Sequence, residues 1–399
     1  MTTDSNMHVV VIFYNIGGYH AARLNAAFVA CEQKGWCLTA IQVTDNTQEH
    51  PWGNIEREIK FPLKTLLPIE TTPSTIDRSP WSKVAASLIP SCLDSLKPDI
   101  LAIPGWGFPV SQAALTWSNR HLVPAILMSE SKWDDEKRQW WKEQIKSWLY
   151  VRNYTAALVG GQLHRDYLIK LGFPQERIFL GYNAVDNQHF NLGAEVARKS
   201  PLAARQRQPK IPTKPYFLLV TRLIKRKNVF HLLEAFLVYR QKLGDNQAWN
   251  IVVCGSGQEE RTIRNFISEK KLNSCVHLPG FIHYQAISDW YGLAQAFVHP
   301  AIQEPWGLVV NEACAAGLPI LCSHTVGACH ELVRHGHNGL LFDPESRENM
   351  TDTLLAMHQQ TSDARIKMGQ FSQTIVANYS PQHFAEGLFK ASETALTFK

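Results

Sequence analysis

Short apolar runs alternate with helix-like segments along the first half of the chain. Apolar runs of this length, bounded by turn residues, predict buried β-strands. They lie at residues 8–14, 37–43, 99–104, 124–129, 156–160 and 177–181. Amphipathic spacing between them predicts helices, most distinctly at residues 20–34, 81–96, 135–149 and 162–171. Repeated strand, helix and strand predict a parallel sheet covered by helices on both faces.

The alternation stops at residues 191–215 and then starts again. That segment has four prolines, many basic residues and little apolar patterning, which predicts a linker or an exposed loop. Further strands are predicted at residues 216–221, 249–255, 275–280, 296–300, 319–323 and 339–343. We therefore predict an N-terminal unit at residues 1–190 and a second unit at 216–380. Residues 381–399 have helical spacing.

Composition narrows the class of protein. The chain has 399 residues, of which 45% are hydrophobic and 19% charged, as expected for two globular domains. The formal net charge of +5 is mild and gives no argument for nucleic acid. The sequence lacks a run of 18 apolar residues and a signal-peptide pattern at its start, so we expect a cytoplasmic protein.

The eight cysteines contain no CxxC pair, which favours reduced thiols. The spacing of Cys322, Cys329, His330, His335 and His337 matches no standard zinc finger, so we expect no metal site.

Candidate ligand-binding residues follow the predicted strands. In open α/β sheets, ligands bind at the carboxyl ends of strands, and two such units facing each other would leave a cleft. After the first strand, "NIGGYH" places Gly17 and Gly18 before a helix that begins near His20, where amides could meet an anion. The segment is not GxGxxG, which disfavours a nicotinamide dehydrogenase, and a simple tight turn is the alternative.

Basic residues follow the strand at 216–221. In "RLIKRKN", the cations precede a helix, whose positive end would repel them unless an anion is also bound. A diphosphate would supply this anion. We predict that Arg222 and Lys227 bind it, and that Lys225 and Arg226 face solvent.

The segment "EPWGLVVNE" places two carboxylates around the start of another helix. Glu304 lies in the predicted loop, and the amides of Gly307, Leu308 and Val309 would open the helix that carries Glu312. We interpret the two acids as ligands for sugar and ribose hydroxyls, with phosphates between them. The alternatives are a loop acid and an exposed helix acid. Phe281 and Ile282 follow another strand and could flank a base, although aromatic residues there are more often core.

These motifs resemble those of family 4 of the retaining glycosyltransferases. The resemblance extends from "YFLLVTRLIKRKN" through "GSGQEE", "LPGF" and "EPWGLVVNEACAAGLPIL" to "VGACHELVRHGHNGLLF". It implies an α/β fold of GT-B architecture, with two Rossmann-like domains whose parallel sheets face an interdomain cleft. In similar proteins the last helix crosses back to the first domain, so we expect this of residues 381–399.

The resemblance also implies roles for individual residues. Glu304 would hold donor-sugar hydroxyls and Glu312 the donor ribose, while Arg222 and Lys227 would grip the diphosphate. The backbone near Phe281 and Ile282 would receive the base. In the first half, "NIGGYH" resembles the family's glycine turn near the donor phosphates and acceptor, and "GYNAVDNQHF" its N-G-V-D segment.

The chain departs from the family where a histidine often follows the strand at 124–129. This sequence has "SESK" there, so Glu130 is the candidate replacement, and His20 is a second candidate on the sugar or acceptor side.

The activity implied is transfer of a hexose-type sugar, with retention, from a nucleoside diphosphate sugar such as a UDP-sugar. The acceptor would be a hydroxyl of a glycan, lipid or small molecule, and neither a metal nor another cofactor is expected. The alternatives are a sugar-nucleotide epimerase or phosphorylase on the same fold, and a non-catalytic module that binds sugar nucleotides.

Four tryptophans and six lysines and arginines lie in residues 131–154. Such a basic helix suits a peripheral membrane contact. The alternative, which we favour because Asp134, Asp135, Glu136 and Glu143 dilute the basic face, is a helix that packs its tryptophans into the first domain.

Overall fold

The computed structural model describes residues 6–45, 59–67 and 80–398, with only the backbone of Pro80 and Trp81. The chain divides into two compact units. Unit 1 is Met1–Asp186 with Tyr379–Lys399, and unit 2 is Asn187–Asn378. Among the described residues, no helix has both the length and the apolar character needed to cross a membrane.

Unit 1 contains a seven-stranded parallel sheet in the order β3-β2-β1-β4-β5-β6-β7. Its strands are β1 His8–Phe13, β2 Cys37–Thr44, β3 Leu63–Leu67, β4 Ile100–Pro104, β5 Ala125–Ser129, β6 Ala156–Val159 and β7 Ile178–Leu180. Successive residues of β1 enter different cores, with Val9 and Val11 in one and Val10 and Ile12 in the other. Both faces of this sheet are therefore covered, which explains the continuous apolar run.

The helices of unit 1 cover both faces of this sheet. They are α1 Gly18–Gln33, α2 Pro80–Leu96, α3 Pro109–His121, α4 Trp140–Leu149, α5 Gln162–Lys170 and α15 Pro381–Thr397. The predicted helix at 135–149 is shorter in the structure. Residues Trp133–Asp135 form a 3₁₀ turn, and Arg138 donates to the carbonyl of Trp133, which holds the intervening segment in a non-helical path.

Unit 2 contains a six-stranded parallel sheet in the order β10-β9-β8-β11-β12-β13. Its strands are β8 Tyr216–Val220, β9 Asn250–Cys254, β10 Val276–Gly280, β11 Ala296–His299, β12 Ile320–Ser323 and β13 Gly339–Phe342. Its helices are α6 Asn187–Lys199, α7 Pro201–Arg207, α8 Val229–Leu243, α9 Glu260–Glu269, α10 Tyr284–Leu293, α11 Leu308–Ala315, α12 Cys329–Leu332, α13 Arg347–Gln359 and α14 Ser362–Val376.

Residues 191–207, expected in a linker or exposed loop, are mostly helical. Helix α6 buries Phe190, Ala194 and Ala197, and it packs closely on α10. A Cβ atom added to Gly193 would lie 2.4 Å from the Cβ of Ser288, so the contact depends on the missing side chain. Because glycine and alanine give a weak apolar signal, the sequence pattern missed this helix.

Candidate functional site

A buried ion pair joins two strand ends of unit 2. Lys227 closes a 3₁₀ turn after β8, and its Nζ donates to Oε2 of Glu304 in the loop after β11. Only 11% and 10% of the two side chains are exposed. Removing either partner would leave a largely buried charge uncompensated. The structure thus brings together a cation and a carboxylate that are 77 residues apart in the sequence.

The other cations of "RLIKRKN" differ in exposure. Arg222 lies two residues after β8 and is half-buried, and Lys225 is exposed as expected. Arg226 is half-buried, and its carbonyl accepts a hydrogen bond from the amide of Ile302 at 2.9 Å. The prediction that both middle residues face solvent therefore holds for Lys225 alone, because the loop after β11 covers part of Arg226.

A buried histidine contacts the same carboxylate. His299 ends β11, and its Nε2 lies 3.3 Å from Oε2 of Glu304. Burial, and secondarily the Lys227 cation, hold the pKa of His299 well below 6.5, so the ring is neutral near pH 7. Because a carboxylate only accepts, Nε2 carries the proton.

His299 was not among the residues predicted from the sequence. The available signal was its position in "AFVHP", at the carboxyl end of a predicted strand, which is the edge where ligand-binding residues were sought.

Gly307 lets the loop that carries Glu304 turn into α11. Its φ is +97°, and an added Cβ would lie 3.2 Å from both Glu304 Cγ and Val326 Cγ1. The first turn of α11 carries the half-buried Leu308 and Val309, followed by the buried Val310. Since this turn has no acidic side chain, the partial positive charge of its amides is not offset there.

The Glu304 loop is also fixed from its other side. The Glu304 carbonyl accepts a hydrogen bond from the amide of Gly327 at 3.1 Å, and the Trp306 carbonyl accepts one from the amide of Ala328 at 2.9 Å. The buried Trp306 indole donates to Oδ1 of Asn311 in α11 at 2.8 Å. These bonds tie the loop to α11 and to the segment after β12, so the Glu304 carboxylate has a defined position.

Glu312 is buried inside unit 2. It lies on α11, and its Oε2 accepts from the hydroxyl of Tyr291 on α10 at 2.8 Å. Burial raises the pKa of Glu312 to about 7, while the tyrosine hydrogen bond acts in the opposite direction. The alternative of an exposed helix acid is therefore wrong. Tyr291 is a partner that the sequence analysis did not identify, because the pair links two helices.

Phe281 and Ile282 follow β10 at the same edge of the sheet. Phe281 is exposed and contacts the ring of His283 at 5.3 Å, while Ile282 is half-buried. Phe281 is therefore not part of the core of unit 2.

The glycine turn of unit 1 caps α1. Gly17 is the N-cap residue, Gly18 begins the helix, and Nδ1 of His20 accepts from the Gly17 amide at 3.2 Å. The His20 ring also contacts Phe13, with 4.6 Å between ring centroids. These contacts give His20 a structural role at this helix start.

Arg23 connects α1 to the segment that follows β7. It is almost fully buried, its Nε donates to the Ala184 carbonyl at 2.7 Å, and its guanidinium lies 5.5 Å from the Tyr182 ring centroid. Burial lowers the pKa of Arg23, and the neighbouring tyrosines and Glu130 oppose that shift. Glu130 itself is half-buried after β5. Arg23 was missed because a lone arginine in a helix pattern ordinarily faces solvent.

In the described part of the chain, no group of three or more histidine, cysteine or acidic residues could hold a metal ion. The Cys329 thiol donates to the His324 carbonyl at 3.5 Å, and its interaction with the neighbouring Cys322 lowers the pKa of Cys329.

The fold of the chain matches that of a known class of protein. A crystal structure of Anabaena HepE in complex with UDP-glucose matches with a TM-score of 0.71 and 15% sequence identity, covering 98% of this chain and 100% of that chain. With its two Rossmann-like parallel-sheet units, the protein has the GT-B fold, which confirms the predicted fold class.

A family model matches the sequence of most of unit 2. Residues 202–374 match the family model described as glycosyl transferases group 1. This match confirms, for that part of the chain, the resemblance stated from its motifs.

Two curated relatives illustrate the match. An uncharacterised glycosyltransferase of Methanocaldococcus jannaschii is 24% identical over 177 residues, or 44% of each chain. A probable sucrose-phosphate synthase of Arabidopsis thaliana is 30% identical over 159 residues, which is 37% of this chain and 15% of that protein. The chain thus spans less than half the length of either relative.

Proposed function

We propose that the protein transfers a hexose-type sugar from a nucleoside diphosphate sugar to a hydroxyl group of an acceptor. The family match of unit 2 supports a glycosyltransferase activity. A UDP-sugar is our preferred donor, since the structural neighbour HepE was solved with UDP-glucose. We also propose that transfer retains the anomeric configuration, without a metal or other cofactor.

The buried Lys227–Glu304 pair beside neutral His299 carries this proposal. A carboxylate held this way is a strong acceptor for sugar hydroxyls. The lysine beside it would meet the anionic part of the same ligand. Unit 2 thus offers adjacent groups for the two chemically different parts of a nucleotide sugar.

In this proposal, the other candidate residues of unit 2 bind the other parts of the donor. Arg222 and Lys227 stabilise the charge that develops on the leaving diphosphate, and the amides of Gly307, Leu308 and Val309 assist them. The Glu312 carboxylate accepts from ribose hydroxyls, and Phe281 with Ile282 flanks the base.

We assign the acceptor side to unit 1. His20 and Glu130 are the proposed residues, and Gly17 and Gly18 shape the turn before α1. Arg23 positions this region through its bond to the Ala184 carbonyl.

Single cation substitutions test the proposal. A charge-assisted hydrogen bond contributes about 1.5–3 kcal/mol, so Lys227→Ala and Arg222→Ala should each slow UDP-sugar turnover by about one to two powers of ten. The matched control is Lys225→Ala, which removes an exposed cation from the same turn and should leave turnover nearly unchanged. Donor consumption with an acceptor panel and calorimetric binding of UDP are the measurements. Equal losses in all three variants would contradict the assignment.

A second variant separates lost function from lost folding. Lys227→Ala leaves Glu304 buried and uncompensated, so stability can fall as well. Lys227→Met combined with Glu304→Gln removes both charges and should recover much of the melting temperature, but not turnover. Donor binding by the wild type without consumption on any acceptor would favour the non-catalytic binding module.

A further inference from the structure

Helix α4 has its apolar face on the outside of unit 1. Glu143 and Ser147 are buried, whereas five large apolar side chains are exposed. Their exposed fractions are 71% for Trp140, 55% for Trp141, 49% for Ile145, 70% for Trp148 and 44% for Leu149. We call these five residues the α4 tryptophan face. The interpretation that this helix packs its tryptophans into the first domain is therefore wrong for three of the four, and Trp133 lies outside the helix.

Polar contacts explain this orientation. The Glu143 carboxylate accepts from the hydroxyl of Tyr167 in α5, from Lys146 Nζ at 2.8 Å and from Arg138 Nη1 at 3.4 Å. The Ser147 hydroxyl donates to the backbone carbonyl of Leu171, the residue after α5. Charge-assisted hydrogen bonds therefore anchor the polar face inward, and the apolar face remains in water, where exposure of such a patch is unfavourable.

Three of the four acids that dilute the basic character of this segment are engaged in ion pairs. Asp135 pairs with Lys132 at 3.2 Å, and Glu136 pairs with Arg138 at 3.3 Å. Glu143 is the buried anchor described above. Three of the four acids are thus compensated within the segment.

Exposed cations lie in the chain segments before, within and after α4 and beside the neighbouring Trp133. Lys137, Lys142 and Arg152 are exposed, and the Lys142 ammonium lies 5.3 Å from the Trp141 ring centroid. Lys170 is also exposed, 4.8 Å from the ring centroid of Trp133. The surface of this region therefore combines exposed tryptophans with a positive rim.

We propose that the α4 tryptophan face docks on an anionic lipid surface. Tryptophan rings favour the interface between headgroups and acyl chains, and lysines at the rim reach anionic headgroups with their ammonium groups. A ten-residue helix of about 15 Å is too short to cross a bilayer, so it lies in the plane of the interface. The positive rim favours this occupant over an uncharged apolar partner. The proposal is independent of the donor site, which lies in unit 2.

Vesicle flotation of the full-length protein tests the proposal. We expect the protein to float with vesicles that contain phosphatidylglycerol and phosphatidylcholine, but not with phosphatidylcholine alone, and salt should weaken the binding. Trp140→Ser with Trp148→Ser should lower the bound fraction about tenfold or more, and Lys142→Glu about tenfold. Leu122→Asn is the control, because Leu122 is equally exposed in unit 1 and has φ +56°, which asparagine tolerates.

Two further measurements keep the outcome decisive. Brominated lipids should quench tryptophan fluorescence of the wild type more than that of Trp148→Phe. Calorimetric binding of UDP should be the same in all variants, which separates membrane docking from the donor site. Flotation unaffected by the paired tryptophan substitution would overturn the proposal. The proposal would also be overturned if the protein did not float and instead formed a dimer in sedimentation velocity. If the paired tryptophan substitution abolished that dimer, the face would bind a second copy of the chain.

Discussion

At the scale of single residues, Glu312 makes stability depend on pH. Its pKa is about 7 in the folded protein, against an ordinary value of 4.5, because burial disfavours the charged form. The folded state therefore binds more protons than the unfolded state between these values. The stabilising contribution is complete below about pH 4.5 and is lost as the pH rises to about 7 and above.

We predict that Glu312→Gln removes this dependence. Relative to the wild type, the variant should gain roughly 1.4 kcal/mol of unfolding free energy for each pH unit within that window. Urea unfolding of both proteins from pH 4.5 to 8 measures the difference, and contributions common to both cancel. Parallel curves would show that Glu312 is ionised throughout. Tyr291→Phe should move the window to higher pH, because its hydroxyl favours the carboxylate form.

A second residue-scale prediction concerns Gly307. Gly307→Ala places a Cβ 3.2 Å from Glu304 Cγ at a φ of +97°, so it should lower stability by about 1–3 kcal/mol and reduce sugar transfer at least tenfold. Gly336→Ala is the matched control, with φ +78° and no atom within 4 Å of its added Cβ. This control should lower stability by only about 1 kcal/mol, which is the cost of placing alanine at a positive φ. Thermal unfolding and a transfer assay compare the two, and equal activity would exclude an effect through Glu304.

At the scale of elements, helices α6 and α10 depend on complementary small residues. We predict that Gly193→Ala destabilises unit 2 by about 1–3 kcal/mol, although alanine is ordinarily better than glycine in a helix. Adding Ser288→Gly removes the atoms that the new Cβ would meet, so the double variant should recover part of this loss. Chemical unfolding of the two single variants and the double variant gives the coupling energy. Strict additivity would mean that Gly193 and Ser288 do not interact.

At the scale of the whole molecule, the last helix completes the core of the first unit. Phe384 of α15 is fully buried with residues of β1, β5 and β6. Phe384→Ala should therefore cost about 3–5 kcal/mol in unit 1, even though the residue lies near the end of the sequence. Hydrogen exchange with mass spectrometry should show lost protection in unit 1 peptides and unchanged protection in unit 2. Phe371→Ala, at an exposed position of α14, is the control, and loss of protection in unit 2 from Phe384→Ala would contradict this division.

Much of this fold can be predicted from the sequence because most buried parallel strands are continuous apolar runs. Strand β3 was not predicted, since most of its side chains are half-exposed and Lys64 interrupts the pattern. Helix α6 was missed for a related reason, because glycine and alanine carry its contact with α10. Apolar periodicity in a sequence indicates large buried side chains, but it does not show where the backbones of two helices approach each other closely.

Candidate site residues could be predicted where the signal is local. Lys227 and Glu304 follow strand ends, Glu312 lies just over one turn into the helix that comes next, and their residue types suit a charged, hydroxyl-rich ligand. Their partners His299 and Tyr291 could not be assigned from spacing alone, because they come from separate elements.

The sequence alone determined the alternation of elements, the position of the strand ends and the residue types available there, because these depend on local patterns. Only the tertiary structure decided which charges are paired, that Glu312 is buried and that α4 turns its tryptophans outward. A helix pattern shows two different faces, but burial depends on what the neighbouring elements offer, and here Tyr167 and Arg138 hold the polar face.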